Sequence, residues 1–133
     1  MHVAYEFAVL RVVPRVEREE FVNVGILLFC EDRDVVAARM EIDDGRILAL
    51  WPEVDLPVLR AHLDATDRIC RGGAAAGPIG ELPARERWRW LVAPRSTILQ
   101  TSAAHGGIVR AGESIDDVLE RLLERLVRVP RAL

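Results

Sequence analysis

Four arginines and two of the three tryptophans crowd into one stretch of the chain: Arg85, Arg87, Trp88, Arg89, Trp90 and Arg95. A guanidinium is a planar fork that grips carboxylate or phosphate through two bonds and stacks on aromatic faces. Arginines interleaved with indoles therefore suit an anion or a stacked base. Residues 94–97, Pro-Arg-Ser-Thr, add two hydroxyls beside the last fork, a composition suited to an anion-binding nest. If WRWLVA (88–93) is a strand, Arg87 and Arg89 share one face and Trp88 and Trp90 the other. The plain structural alternative is that the indoles fill the core while the arginines meet water or the acidic part of the chain.

A second group comes from near the N-terminus. Arg11 interrupts an otherwise apolar run, AYEFAVLRVV (4–13), and Asn23, the chain's single asparagine, interrupts FVNVGILLFC (21–30). A buried guanidinium or amide must find partners. Glu20 or Glu41 could pair with Arg11, or Arg11 could reach into a pocket together with Asn23. His105, ahead of Gly106 and Gly107, is the one histidine placed in a loop, where it could in principle serve Ser96 as a base. The candidate ligand-binding set is thus Arg11, Asn23, Arg89, Arg95, Ser96, Thr97 and His105.

Several chemistries are excluded or unsupported. All 18 basic residues are arginine, so lysine Schiff bases, the P-loop lysine and the kinase strand lysine are out of reach. A GC-rich genome explains that bias, as it does the many Ala, Val, Gly and Leu. No HxH, HExxH or CxxC spacing supports a metal, and no Walker or Rossmann glycine loop supports a nucleotide cofactor. Two cysteines, Cys30 and Cys70, are too few for a disulfide scaffold and read as small buried hydrophobes. The net charge of −3 gives no global field for nucleic acid or acidic membranes. Locally the balance is uneven: residues 31–70 carry five positive and ten negative charges, residues 71–110 six positive and two negative. No apolar run reaches the ~20 residues of a membrane span, and the N-terminus lacks a signal-peptide layout. The expectation is a cytoplasmic protein.

The elements that must position these residues follow from periodicity. Residues 4–13 and 21–30 are apolar on both faces and read as a central antiparallel pair, ended by Pro14 and joined by a charged connection. In the second, Asn23 and Gly25 fall on the face of Phe21, Leu27 and Phe29. A glycine there signals a bulge or a close backbone approach. VVAARMEI (35–42) is a third strand, with Asp43-Asp44-Gly45 the turn after it. RILALWP (46–52) is ambiguous. Asp55 and Pro57 open a helix that Gly72 and Gly73 stop. Residues 72–84 read as a loop, 88–93 as a strand followed by ILQT, and AAHGG (103–107) as a loop. Ser114 then caps the clearest helix, with Ile115, Val118, Leu119, Leu122, Leu123, Leu126 and Val127 on one stripe. Asp117 to Arg121 and Glu124 to Arg128 are i, i+4 pairs on it. That stripe suits a lid over the sheet and, less simply, a homodimer. The 133 residues make one α+β domain: an antiparallel β-sheet covered by two main helices.

Residues 5–29 (YEFAVLRVVPRVEREEFVNVGILLF) together with RWLVAPRSTILQ and AAHGG resemble a bacterial family catalogued as domain of unknown function 3037, over about residues 4–127. The positions that carry the resemblance are Arg11, Pro14, Arg15, Glu20, Phe21, Asn23 and Gly25, then Arg89, Pro94, Arg95, Ser96 and Thr97. The family tends to have glycine before the motif glutamate, where this chain has Glu19. The resemblance implies a small intracellular protein, often encoded beside a HipA-like kinase, and implies no activity; no cofactor is expected. The expected function is a binding or accessory domain that engages a partner protein, such as that kinase, or an anionic small molecule through an arginine-centred site. One alternative is an enzyme acting on a phosphorylated or nucleotide substrate. The other is a single-stranded nucleic-acid binder, which requires Trp88 or Trp90 to be exposed.

Overall fold

A computed structural model describes residues 2–130. Its centre is a five-stranded antiparallel sheet: β1 (Ala4–Val12), β2 (Val22–Cys30), β3 (Val35–Met40), β4 (Leu99–Thr101) and β5 (His105–Ile108). The order is β3-β2-β1, and both β4 and β5 pair with β1, at its C-terminal and N-terminal halves respectively. The helices are α1 (Asp44–Leu50), α2 (Leu56–Arg71), α3 (Gly77–Gly80), α4 (Ala84–Val92) and α5 (Ile115–Leu126). None of the described helices is long and apolar enough to cross a membrane. The α+β reading holds, with the two main helices, α2 and α5, on opposite faces of the sheet.

Each face has its own core. On one, Ala8, Leu10, Val24, Leu27 and Phe29 pack with Leu59 and Leu63 of α2 and Trp88 and Leu91 of α4. On the other, Tyr5, Val9, Ile26 and Leu28 pack under Val118, Leu119, Leu122 and Leu123 of α5. Burial on both sides explains why β1 and β2 are near-continuous apolar runs.

The β1–β2 register contains one irregularity. Leu10 lies opposite Gly25 and Arg11 opposite Asn23, so Val24 is an extra residue in β2. A bulge of this kind reverses which residues face which side. Val22 and Val24 thus share a core with Leu27 and Phe29. Asn23 is turned to the other face, contrary to its expected alignment with Leu27 and Phe29. Gly25 permits the kink: a Cβ there would lie 2.9 Å from the Arg39 carbonyl oxygen and 3.1 Å from Met40 Cγ. Both expected uses of the glycine, bulge and close approach, are met at once.

Three local expectations are corrected. The Asp43-Asp44-Gly45 turn is the start of α1: the Asp43 side chain accepts from the Arg46 N–H at 3.2 Å as the helix cap, and the ambiguous segment 46–52 is helical as far as Leu50. The expected loop 72–84 contains a 3-10 turn (Ala74–Ala76) and the one-turn α3. On α5, Asp117 does not pair with Arg121. Ser114 and Asp117 close a reciprocal capping box (3.1 and 2.9 Å), and Arg121 grips Glu113 instead with two bonds of 2.8 and 2.9 Å. Glu124–Arg128 is present at 2.8 Å, and Arg128 also reaches Glu41 and Glu120. With Arg39, which meets Asp116 and Glu120, these exposed pairs tie α5 to β3.

Two predictions follow from this packing. Gly25→Ala pushes a methyl into backbone and should cost about 1–3 kcal/mol in denaturant unfolding; an unchanged midpoint would mean that β3 shifts freely. Glu113 is half of the least exposed ion pair among the described residues. The Arg121 fork, and then the Arg110 backbone N–H, hold its carboxyl down at about 2 from an ordinary 4.5. A depressed folded-state value contributes stability that is complete above the unfolded value and fades as pH falls toward 2. Glu113→Gln should therefore be less stable at neutral pH, and its loss of stability between about pH 4.5 and 2 should be shallower than that of the parent.

Candidate functional site

The arginine–tryptophan stretch is helix α4, not a strand. Its buried residues, Ala84, Trp88 and Leu91, recur at i, i+4 and i+7, a helical spacing that the Arg/Trp alternation conceals. Two residues along a helix turn by about 200°, so Trp88 and Trp90 point in different directions. Trp88 is buried and stacks on Phe29 at 6.0 Å between ring centres. Trp90 remains 40% exposed.

The arginines of this stretch separate in the same way. Arg85 pairs with Glu31. Arg87 donates to the carbonyls of Ile69, Cys70 and Leu82 at 2.7–2.9 Å, closing the C-terminal end of α2. Arg89 is exposed. Arg95 folds back on the end of α4: it donates to the Leu91 carbonyl at 2.9 Å and to that of Trp90. Its guanidinium carbon lies 4.3 Å from the Trp90 ring centre. A cation belongs at that helix terminus, where carbonyls lack intrahelical partners. Burial alone lowers the Arg95 pKa, and no carboxylate pairs with it among the described residues.

Arg95 and Trp90 border a cavity of about 370 Å³ between α2, α4 and the sheet. Its buried lining is apolar: Leu10 of β1, Leu27 of β2 and Leu91 of α4. Ile98 and Leu99 extend that surface. Polar groups stand around it. His62 and Thr66 come from α2, and Thr97, Gln100 and Thr101 from β4 and the segment before it. Several of these polar groups are already bonded: the Thr66 hydroxyl donates to the His62 carbonyl at 3.0 Å, and the Thr97 hydroxyl to the Leu99 carbonyl at 2.9 Å.

The expected site residues are thus divided. Arg95 and Thr97 meet at the cavity. Ser96 is exposed and outside its lining. His105 is exposed in β5, opposite Phe7, with the two rings 5.5 Å apart. Leu99, two residues from Thr97, pairs instead with Val12 near the other end of β1, so the Ser96–His105 pairing is not assembled. Arg11 and Asn23 are directly opposite each other in β1 and β2, on the α5 face. Asn23 Nδ2 donates to the Leu126 carbonyl at 3.0 Å, tying down the end of α5. The Asn23 Oδ1 and Arg11 Nε are buried without a protein partner. Neither acid offered to Arg11 takes the role: Glu20 bonds Arg18 at 2.5 Å, and Glu41 bonds Arg128.

Residues 7–127 match the model of a family described as a protein of unknown function (DUF3037). The chain belongs to this family. No curated protein and no solved structure gives a significant match. Of the two stretches that carry the DUF3037 resemblance, 10–25 runs through β1, β2 and their connection, and 89–97 packs its α4 part against one face of the sheet. The first builds the bulge and places Arg11 and Asn23. The second ends α4 and places Arg95. No group of three His, Cys, Asp or Glu gathers as a metal-ligand set among the described residues.

His62, Thr66, Gln100 and Thr101 are the cavity residues missed from sequence. Thr66 falls three residues after Leu63 and four before Cys70, both buried on α2, and a hydroxyl at that helical spacing is the available signal. The others become neighbours only when α2 and β4 meet. Replacing Arg95 by alanine removes both the helix-end charge and its carbonyl bonds, and should lower stability by about 1–2 kcal/mol. Arg95→Lys should recover only part of it, since an ammonium cannot span two carbonyls from one plane; full recovery in unfolding experiments would reduce the role of Arg95 to charge alone.

Proposed function

We propose that this DUF3037 protein is a binding domain for a small, largely apolar molecule with an anionic end, held in the cavity bordered by Trp90 and Arg95. The observation that carries this reading is the cavity itself. Its volume of about 370 Å³ falls in the ~300–1,000 Å³ range of small-molecule sites, which are apolar with a few converging polar groups. Leucines from β1, β2 and α4 would bury the ligand's body. Arg95 supports the anionic end: its charge is partly desolvated and is met by carbonyls but by no carboxylate among the described residues. An anion on the ligand would therefore gain more there than at an exposed arginine.

The Arg/Trp strand required by a nucleic-acid binder is replaced by a helix whose Trp88 is buried and whose Arg85 and Arg87 are engaged within the fold. Trp90 alone remains as an open indole, and it borders the cavity.

Anilinonaphthalene sulfonate, an apolar dye with one anionic group, is a suitable probe. Its fluorescence should rise saturably with the folded protein and its binding should quench Trp90, a change largely lost in Trp90→Phe. Thr66→Trp, which fills the cavity from α2, should abolish the response while leaving the circular dichroism spectrum intact. A dye response that survives Thr66→Trp unchanged would place binding elsewhere and overturn the reading.

A further inference from the structure

Arg11 lies on the other side of the sheet from the Arg95 cavity, in surroundings of its own. Its guanidinium carbon is 4.0 Å from the Phe21 ring centre. Together with Val13, Val16, Phe21 and Gln100 it lines a cavity of about 250 Å³. Val16 and Phe21 are 41% and 45% exposed, an unusual placement for large apolar side chains that flank a charge. Arg11 has no ion pair among the described residues, and its Nε is buried without an acceptor. The two Nη nitrogens have no protein partner there either. Burial lowers its pKa with no opposing interaction, the mark of a cation desolvated without compensation.

We propose that this second pocket is a carboxylate-binding site. The Nη edge of Arg11 receives both carboxylate oxygens, and the rest of the acid lies against Phe21 and Val16. A planar fork backed by an aromatic ring is suited to that pairing. The pocket is smaller than a typical drug-sized site and fits a compact organic acid.

Glu19 also lines the pocket. It holds a left-handed backbone, φ 57°, which disfavours any residue but glycine. Glycine is the residue that the family resemblance leads one to expect there. Glu19 is exposed, and its charge opposes an incoming carboxylate. Glu19→Gly removes both the strain and the repulsion, so it should be at least as stable as the parent and should bind carboxylates more tightly.

The test is a titration of the full chain with benzoate, followed by the Arg11 Nε–H and Phe21 ring signals in nuclear magnetic resonance. Both should move saturably with benzoate and stay in place with benzamide, its uncharged counterpart. Glu19→Gly should reach saturation at several-fold lower benzoate. Arg11→Gln should abolish the Phe21 response. Thr66→Trp, which closes the other cavity, should leave the titration unchanged, so failure of one site is distinguishable from failure of the other. Signals that stay still in both the parent and Glu19→Gly, or that move equally with benzamide, would overturn the proposal.

Discussion

A pair of strands buried on both faces is the constraint from which the remaining architecture follows. β1 and β2 are covered on both sides over most of their length, so each must match two cores at once, one beneath α5 and one beneath α2 and α4. In a regular strand the period of two would commit every second residue to the same core along the whole length. The extra residue at Val24 breaks that commitment. Beyond the bulge, the strand exchanges the faces of its odd and even residues. Leu27 and Phe29 can then serve the α2–α4 core while Asn23 serves the end of α5. Gly25 is needed because β3 passes too close for a Cβ.

Every positive side chain in this lysine-free chain is an arginine. Much of that positive charge is consumed in holding elements together. Arg87 and Arg95 close helix ends through carbonyls, a task suited to a fork with several donors in one plane. Arg39 and Arg128 connect α5 with β3 and the segment after it through carboxylates. The basic excess of residues 71–110 thus does not form a continuous positive surface. Arg11 and Arg95 stand apart from the rest: burial lowers both pKa values, and neither meets a carboxylate among the described residues. They sit on opposite sides of the sheet, each beside an aromatic ring and a cavity. Gln100 of β4 borders both cavities and pairs with Arg11 across the strands, so a single short strand separates the two regions.

Legibility from sequence varied with the range of the interactions involved. α5 was readable nearly residue by residue, because its stripe, its cap and its terminal charges all agree within a dozen neighbours. α2 was readable for the same reason, from Asp55 and Pro57 to Gly72. α4 was not. Its tryptophans and arginines alternate as on a strand, and the residues that reveal a helix, Ala84, Trp88 and Leu91, differ so much in size that their spacing is inconspicuous. The same misreading would have put Trp88 and Trp90 together, whereas one is core and the other is cavity wall.

What the sequence determined by itself was therefore local and chemical: the α+β class, the central apolar pair, the caps of the two main helices, the absence of an amine nucleophile, and Gly25 as a point of irregularity. These depend on periodicity, side-chain chemistry and neighbours a few residues away, all of which a linear reading contains. Tertiary structure alone decided that Arg11 faces away from Arg95, that Arg121 takes Glu113 in place of Asp117, and that His62 and Thr66 join Thr97 around one cavity. Each of these depends on which face a residue occupies or which element packs beside it. A one-residue bulge, or a helix where alternation suggests a strand, reverses that outcome while leaving composition and local spacing unchanged.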